Sequence, residues 1–382
     1  MAEPRDIFLV SNSVDELGGA TTWTHQMARL FTERGHHVHV IGITMAEVPQ
    51  NLGGQPTYPI TTLYDTAPRK RTKRHGTRGR LDPVHTYRVR AHEADMRKHA
   101  SRLTKLFADA LPGGVIIVTQ VWAMEWVALA DTHGMTVIGM SLESYAYSRA
   151  STRYGRVKRH FADVDRLYLL TREDADRWIR DGMNNASFMP NALLSFPSEP
   201  SPRTQPVVVS AGRLTDQKGI DMLLDTWAAT APHHPNWRLK IYGDGEDKAE
   251  LKAQCTMLGL DDSIEWCGRT HDIYSALRGA SVFVRSSRGE GFPLALTEAM
   301  AAGVPCAAFD CAPGVHEIIR HGEDGLLAQT GNTHELSRCL DALMSNAELR
   351  NRLGDAARDN IRRYTPDEIT RRWEKEFTFL ER

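Results

Sequence analysis

Short, almost wholly apolar runs alternate with amphipathic stretches along the entire chain. The first half carries IFLVSN, HVHVIGI, GVIIVTQ, MTVIGMS and RLYLLT, and the second carries PVVVSAGR, RLKIYG, IEWCG, SVFVRSS and VPCAAF. Runs of this length and continuity read as strands buried on both faces of a parallel sheet. Helical patterns lie between them. TTWTHQMARLFTERG spaces its apolar residues for one helix face and stops at Gly35, and DMLLDTWAATAPHHP ends in prolines. Strand and helix alternating in two successive sets predict an α/β chain of two doubly wound, Rossmann-like domains. Pro197, Pro200, Pro202 and Pro206 crowd one short stretch between the sets, as an extended linker would. The expected domains are residues 1–198 and 199–364. Residues 365–382, opening with Thr365-Pro366 and acids, form a last helix expected to pack back towards the first domain. Ligands of open α/β sheets bind at the carboxyl ends of the strands, so two such domains are expected to face a central cleft.

Composition narrows this reading. At 382 residues the chain exceeds one ordinary hydrophobic core, which agrees with two domains. No apolar run approaches the roughly 18 residues of a membrane span. The start, MAEPRDIFLVSN, lacks the pattern of a secretory leader, so a cytoplasmic protein is expected. The five cysteines, Cys255, Cys267, Cys306, Cys311 and Cys339, show neither a CxxC pair nor metal-ligand spacing, and read as thiols in a reducing compartment. Net charge is −1, yet residues 69–80, RKRTKRHGTRGR, hold seven Lys/Arg and no acid. That segment reads either as a solvated loop or as a dock for an anionic membrane surface or anionic acceptor. Without interleaved aromatic residues it does not point to nucleic acid.

Three elements carry candidate chemistry. Gly18-Gly19 follow the first strand and open the first helix, where backbone N–H groups and the helix's positive end suit a phosphate. The pattern is not GxGxxG, which argues against a dinucleotide dehydrogenase. Arg213 and Lys218 flank the loop that leaves the first strand of the second set, where two cations could neutralise a diphosphate. In SRGEGFPLALTEAMAAGVP, a strand end, a turn and a helix place Glu290 before the helix and Glu298 about 7–8 Å along it. Pro293 suits the helix start, whose free N–H groups at Leu294 and Ala295 could also meet a phosphate. On spacing alone the two glutamates could equally be the acid and base of an inverting glycoside hydrolase.

The segments GGA, GRLTDQKGID, YGDGE, GEGFPLALTEAMAAGVPCAAFDCAPGVHEII and HGEDGLL together resemble the glycosyltransferases of family 4, which have the GT-B fold. The resemblance is close over the second domain and loose over the first. It implies a nucleotide-diphosphate sugar donor (UDP- or GDP-linked), held mostly by the second domain, and transfer to a hydroxyl acceptor with retention of configuration. It further implies that Glu290 binds donor-sugar hydroxyls, that Glu298 binds ribose hydroxyls, and that Arg213 and Lys218 grip the diphosphate. Phe292, Pro293, Leu294, Ala295 and Gly19 would line the donor, and backbone around Gly268-Arg269 would meet the base. The leaving diphosphate itself would accept the acceptor's proton, so neither glutamate need exchange one.

The first domain departs from the family's pattern. Leu142 stands where a histidine is expected to approach the donor sugar, and Gln120 stands where another is often seen. Glu143 or Tyr145 is the expected substitute. A DxD triplet, Asp163-Val164-Asp165, precedes a strand instead of following one and reads as a surface element, so transfer without a metal and without any cofactor is expected. Cell-surface glycan or glycoconjugate synthesis is the expected setting, with the basic segment docking a lipid-linked or anionic acceptor at the inner membrane face. A natural-product glycosyltransferase, a nucleotide-sugar epimerase and a nucleotide-sugar-binding module weakened by Leu142 are the alternatives. The cations at Arg213 and Lys218 favour a diphosphate leaving group over the neutral glycoside of a hydrolase.

Overall fold

A computed structural model of the chain describes residues 3–16, 18–46, 56–66, 68 and 83–381. The basic segment 69–80 lies outside the described residues. The chain divides into two compact units, Met1–Leu169 with Ala175–Met189 and Thr370–Arg382, and Leu170–Asp174 with Pro190–Ile369. The passage into the second unit thus comes before the proline-rich stretch, and most of the last helix belongs to the first unit.

In the first unit, β1 (Asp6–Ser13), β2 (His37–Thr44), β3 (Ile60–Thr62), β4 (Val115–Val118), β5 (Thr136–Ser141), β6 (Arg166–Leu169) and β7 (Ala186–Phe188) form one sheet in the order β3-β2-β1-β4-β5-β6-β7. Every pairing is parallel. Ile7, Leu9, Val10, Ile116, Ile117 and Val118 have no exposed surface, which is why the central strands carry no polar alternation. The helix Gly19–Glu33 turns Met27, Ala28 and Phe31 inward and ends before Gly35, whose φ of 91° suits glycine. The last helix, Pro366–Leu380, buries Trp373 and Phe377 against Trp23 and Phe31. Arg34 clasps Glu374 at 2.7 Å, so this helix is tied into the unit by charge as well as by aromatic area.

The second unit repeats the plan. β8 (Val207–Ala211), β9 (Arg238–Tyr242), β10 (Ile264–Gly268), β11 (Val282–Arg285), β12 (Cys306–Asp310) and β13 (Leu326–Gln329) form a parallel sheet in the order β10-β9-β8-β11-β12-β13. Both sheets therefore show the Rossmann order, in which winding reverses between the first and fourth strands. The reversals fall between β1 and β4 and between β8 and β11. The expected α/β class of two Rossmann-like units is what the chain adopts. The short strands β3, β7 and β13 carry too little apolar periodicity to stand out in the sequence.

Candidate active site

The strands either side of the second unit's reversal deliver the candidate residues. β8 leads into Gly212–Gly219, and β11 leads into Ser286–Pro293. These loops are stitched together. Gln217 donates to Gly289 O (3.1 Å), and Arg288 N–H donates to Gln217 O (2.9 Å). Gly219, at φ 61°, is required at the contact, because a Cβ there would meet Ser286 O at 2.1 Å. Lys218 and Glu290 are brought together by this packing, 72 residues apart in sequence.

Glu290 is 5% exposed. Lys218 Nζ donates to both carboxylate oxygens, at 3.0 Å to Oε1 and 2.8 Å to Oε2. Arg285 Nε and Nη2 and Ser287 Oγ also donate to Oε1, at 2.8, 2.6 and 2.6 Å. Burial alone would raise the Glu290 pKa, but the Arg285 and Lys218 charges outweigh it and hold the group at about 2. A carboxylate so fixed accepts hydrogen bonds and does not deliver a proton at neutral pH. Lys218 is pulled down by burial and then by the Arg285 charge. Arg213, on the same loop, is exposed and has no ion pair among the described residues.

Glu298 is as buried as Glu290, at 6% exposure, but its carboxylate takes part in no hydrogen bond or ion pair among the described residues, while its backbone carbonyl accepts from Ala302 N–H. It lies on the helix Leu294–Ala301, which Pro293 precedes. Burial pushes its pKa up to about 7, only partly countered by Arg285. Its charge also adds to the burial that raises Tyr274, whose hydroxyl donates to Ser195 O. Pro293 O accepts from Leu296 and Thr297, while the N–H groups of Leu294 and Ala295 have no partner among the described residues. Two free N–H groups at a helix start, two loop cations and two acceptor carboxylates in one place suit an elongated ligand that is anionic in the middle and hydroxylated at both ends.

The other residues named from the sequence have different surroundings. The Phe292 ring is 8% exposed and packs edge-on against Tyr364, so what it can offer a ligand is backbone. Arg269 is exposed beside Gly268, whose carbonyl accepts from Gly243 N–H at a bulge in the β9–β10 ladder. In the first unit, Gly18 and Gly19 open the helix Gly19–Glu33 at the carboxyl edge of β1. Gln120, after β4, is held through both amide atoms, accepting from Asn12 N–H (2.8 Å) and donating to Glu16 (2.7 Å). Leu142 is half-buried beside Glu143, which is exposed and paired with Arg153 at 2.8 Å. The Tyr145 hydroxyl donates to Asp181 at 2.7 Å, so both expected substitutes for the histidine already have partners. Within the DxD triplet, Asp165 accepts from Val137 N–H (2.8 Å) at the start of β5, a structural task.

Sequence reasoning missed Arg285 and Ser287. The available signal was a cation closing an otherwise apolar run, SVFVRSS, where a buried charge needs a partner. Cys311 lies near Glu290, but burial pushes its pKa to about 12, so it is no thiolate nucleophile.

The family model described as "Glycosyl transferases group 1" matches residues 194–360, nearly all of the second unit. An uncharacterised glycosyltransferase of Haemophilus influenzae is 32% identical over 236 residues, covering 60% of this chain and 67% of that protein. The chain belongs to the group 1 glycosyltransferases. A Streptomyces coelicolor protein described as an exopolysaccharide phosphotransferase is 36% identical over 222 residues, 57% of this chain, but the chain spans only 24% of it. Among solved structures, a TarM variant from S. aureus in complex with UDP, fondaparinux and α-GlcNAc-glycerol superposes with a TM-score of 0.77 at 13% identity, covering 98% of this chain and 99% of that one. That likeness supports the fold, the two-unit α/β architecture of GT-B glycosyltransferases. Among the described residues, no helix is long and apolar enough to cross a membrane.

Proposed function

We propose that this group 1 glycosyltransferase moves a sugar from a UDP- or GDP-linked donor to a hydroxyl of a cell-surface glycan or glycoconjugate, with retention and without a metal. The observation that carries this reading is the pairing of a cation-held carboxylate, Glu290, with an unpartnered buried one, Glu298, around free helix N–H groups. The diphosphate takes Arg213, Lys218 and the N–H groups of Leu294 and Ala295. Glu290 accepts from sugar hydroxyls and Glu298 from ribose hydroxyls. Because Glu290 stays ionised, it cannot protonate a leaving group, and the diphosphate, stabilised by the loop cations, accepts the acceptor's proton instead. The loop cations Arg213 and Lys218 favour a diphosphate leaving group over the neutral glycoside of an acid/base hydrolase.

A thermal-shift screen against UDP- and GDP-sugars tests the donor, since a ligand of the folded state stabilises it by mass action. Replacing Arg213 and Lys218 together by alanine removes donor consumption; near-normal turnover in that variant contradicts the assignment. Unchanged turnover in EDTA is the expected result for a metal-independent reaction.

We further infer that the first unit meets an anionic surface from the cytoplasmic side, at a membrane or on an anionic acceptor. Supporting this, the helix Pro83–Ala108, which directly follows the basic segment, exposes Val84 and Tyr87 together with Arg88, Arg90, Arg97 and Lys98. Neutralising the seven Lys/Arg of residues 69–80 and reversing those four charges together should release the protein from vesicles containing anionic lipid. Binding that survives both changes removes the inference.

A further inference from the structure

Arg285 closes β11, beside the reversal of the second sheet, after three residues with no exposed surface. A guanidinium 5% exposed is tolerable only with its donors engaged. Its Nε and Nη2 lie on Glu290 Oε1 at 2.8 and 2.6 Å, and its Nη1 donates to Ala211 O, at the end of the neighbouring strand β8. Gly212 is shaped to this side chain: a Cβ there would come within 2.6 Å of Nη1. By contrast, among the described residues the Lys218 ammonium is bonded to Glu290 alone.

The two oxygens of Glu290 are loaded unequally. Among the described residues, Oε1 accepts from Arg285, Ser287 and Lys218, whereas Oε2 accepts only from Lys218. If Lys218 left, Oε1 would keep its geometry and Oε2 would be free. The groups facing Glu290 are Lys218, Arg285 and Ser287, with Cys311 within electrostatic reach and Arg213 bearing on Lys218. Cations outnumber the carboxylate here, so an incoming diphosphate is met by an ammonium that can be spared.

We propose that Arg285 is the fixed counter-ion of Glu290 and Lys218 the exchangeable one. When a nucleoside diphosphate arrives, Lys218 moves from Glu290 to the phosphates, while Arg285 and Ser287 hold Glu290 ionised with Oε2 open to the donor sugar. Arg285 is thus a positioning residue that acts through Glu290 and does not touch phosphate. The proposal rests on the donor-site reading above.

The test compares Lys218→Met, Arg285→Met and Arg285→Lys in the full chain. UDP and GDP binding is measured by calorimetry, and nucleotide release from UDP-glucose and GDP-mannose is followed across pH. For whichever nucleotide the unmodified protein binds, Lys218→Met should weaken affinity by about tenfold or more, and Arg285→Met should keep it within about threefold. Nucleotide release should fall by about tenfold or more in Arg285→Met and acquire an acid limb between about pH 5 and 7, as Glu290 loses its counter-ion. Arg285→Lys should recover part of the rate and shift the limb back towards acid, and it carries the test if Arg285→Met does not fold. Loss of nucleotide affinity in the Arg285 variants as large as in Lys218→Met would make Arg285 a phosphate ligand and overturn the proposal. An unchanged rate and pH profile would overturn it as well. Failure of the unmodified protein to bind either UDP or GDP would instead overturn the donor-site reading itself.

Discussion

Glu290 and Glu298 have the same side chain and nearly the same burial, at 5% and 6% exposure, yet they sit at opposite ends of the carboxylate pKa range. Glu290 is held at about 2 because Arg285 and Lys218 surround it; Glu298 is pushed up to about 7 because burial acts on it almost alone. Burial sets the cost of a charge, and the neighbours decide whether the charge survives. The first glutamate has been prepared by the protein. The second is left for a ligand to complete. Its ribose hydroxyl partners, on the proposed reading, would supply the donors the fold withholds.

The comparison can be broken most sharply at the Glu290 end. Glu290→Gln should reduce sugar transfer by about 100-fold or more, because the acceptor for the sugar hydroxyls is weakened where two cations remain. The same variant should lose about 3 kcal/mol of stability in denaturant titration, since Arg285 and Lys218 keep their burial without their counter-charge. Stability unchanged in Glu290→Gln would mean the ion cluster does not hold the loops.

At the other end the sign reverses. A folded-state pKa raised above the unfolded value means the folded protein binds the extra proton in the window between about 4.5 and 7, so stability from Glu298 is present below that window and is lost as pH rises through it. Glu298→Gln should therefore stabilise the protein at pH 8, by on the order of 2 kcal/mol, while weakening nucleotide binding. For Glu290 the depressed pKa contributes stability above about pH 4.5 that is lost as pH falls towards about 2. A smaller effect sharpens the contrast further: affinity for the sugar nucleotide, whose diphosphate does not titrate near neutrality, should rise by about threefold in the unmodified protein from pH 6 to pH 8 as Glu298 ionises, and should be flat in Glu298→Gln. Affinity that does not change with pH in either protein would remove Glu298 from the ribose.

Much of this was legible from residues alone. Fully buried parallel strands write themselves as unbroken apolar runs, so β1, β8 and β11 could be read directly, and β2 from its apolar second half. Glu290, Arg213 and Lys218 could be named because loops at the carboxyl ends of such strands are where polar residues gather, and Glu298 because it lies within the helix that the second loop opens. What could not be read was pairing across 72 residues, the contact of Lys218 with Glu290. The position of Arg285 at the close of an apolar run hinted that it is buried, but not which carboxylate it meets. In the first unit the loops after β4 and β5 were harder still. Gln120, Glu143 and Tyr145 have partners on separate elements, Glu16, Arg153 and Asp181, that no local pattern ties to them.

The central claim is that the two glutamates hold different ends of one sugar nucleotide. Calorimetric binding of UDP and GDP to the unmodified protein, Glu290→Gln and Glu298→Gln tests it most directly. A bare nucleotide lacks the sugar, so the account predicts that Glu298→Gln loses about tenfold in affinity while Glu290→Gln stays within about threefold or binds more tightly as Lys218 is released. Equal losses in the two variants, or a loss confined to Glu290→Gln, would contradict it.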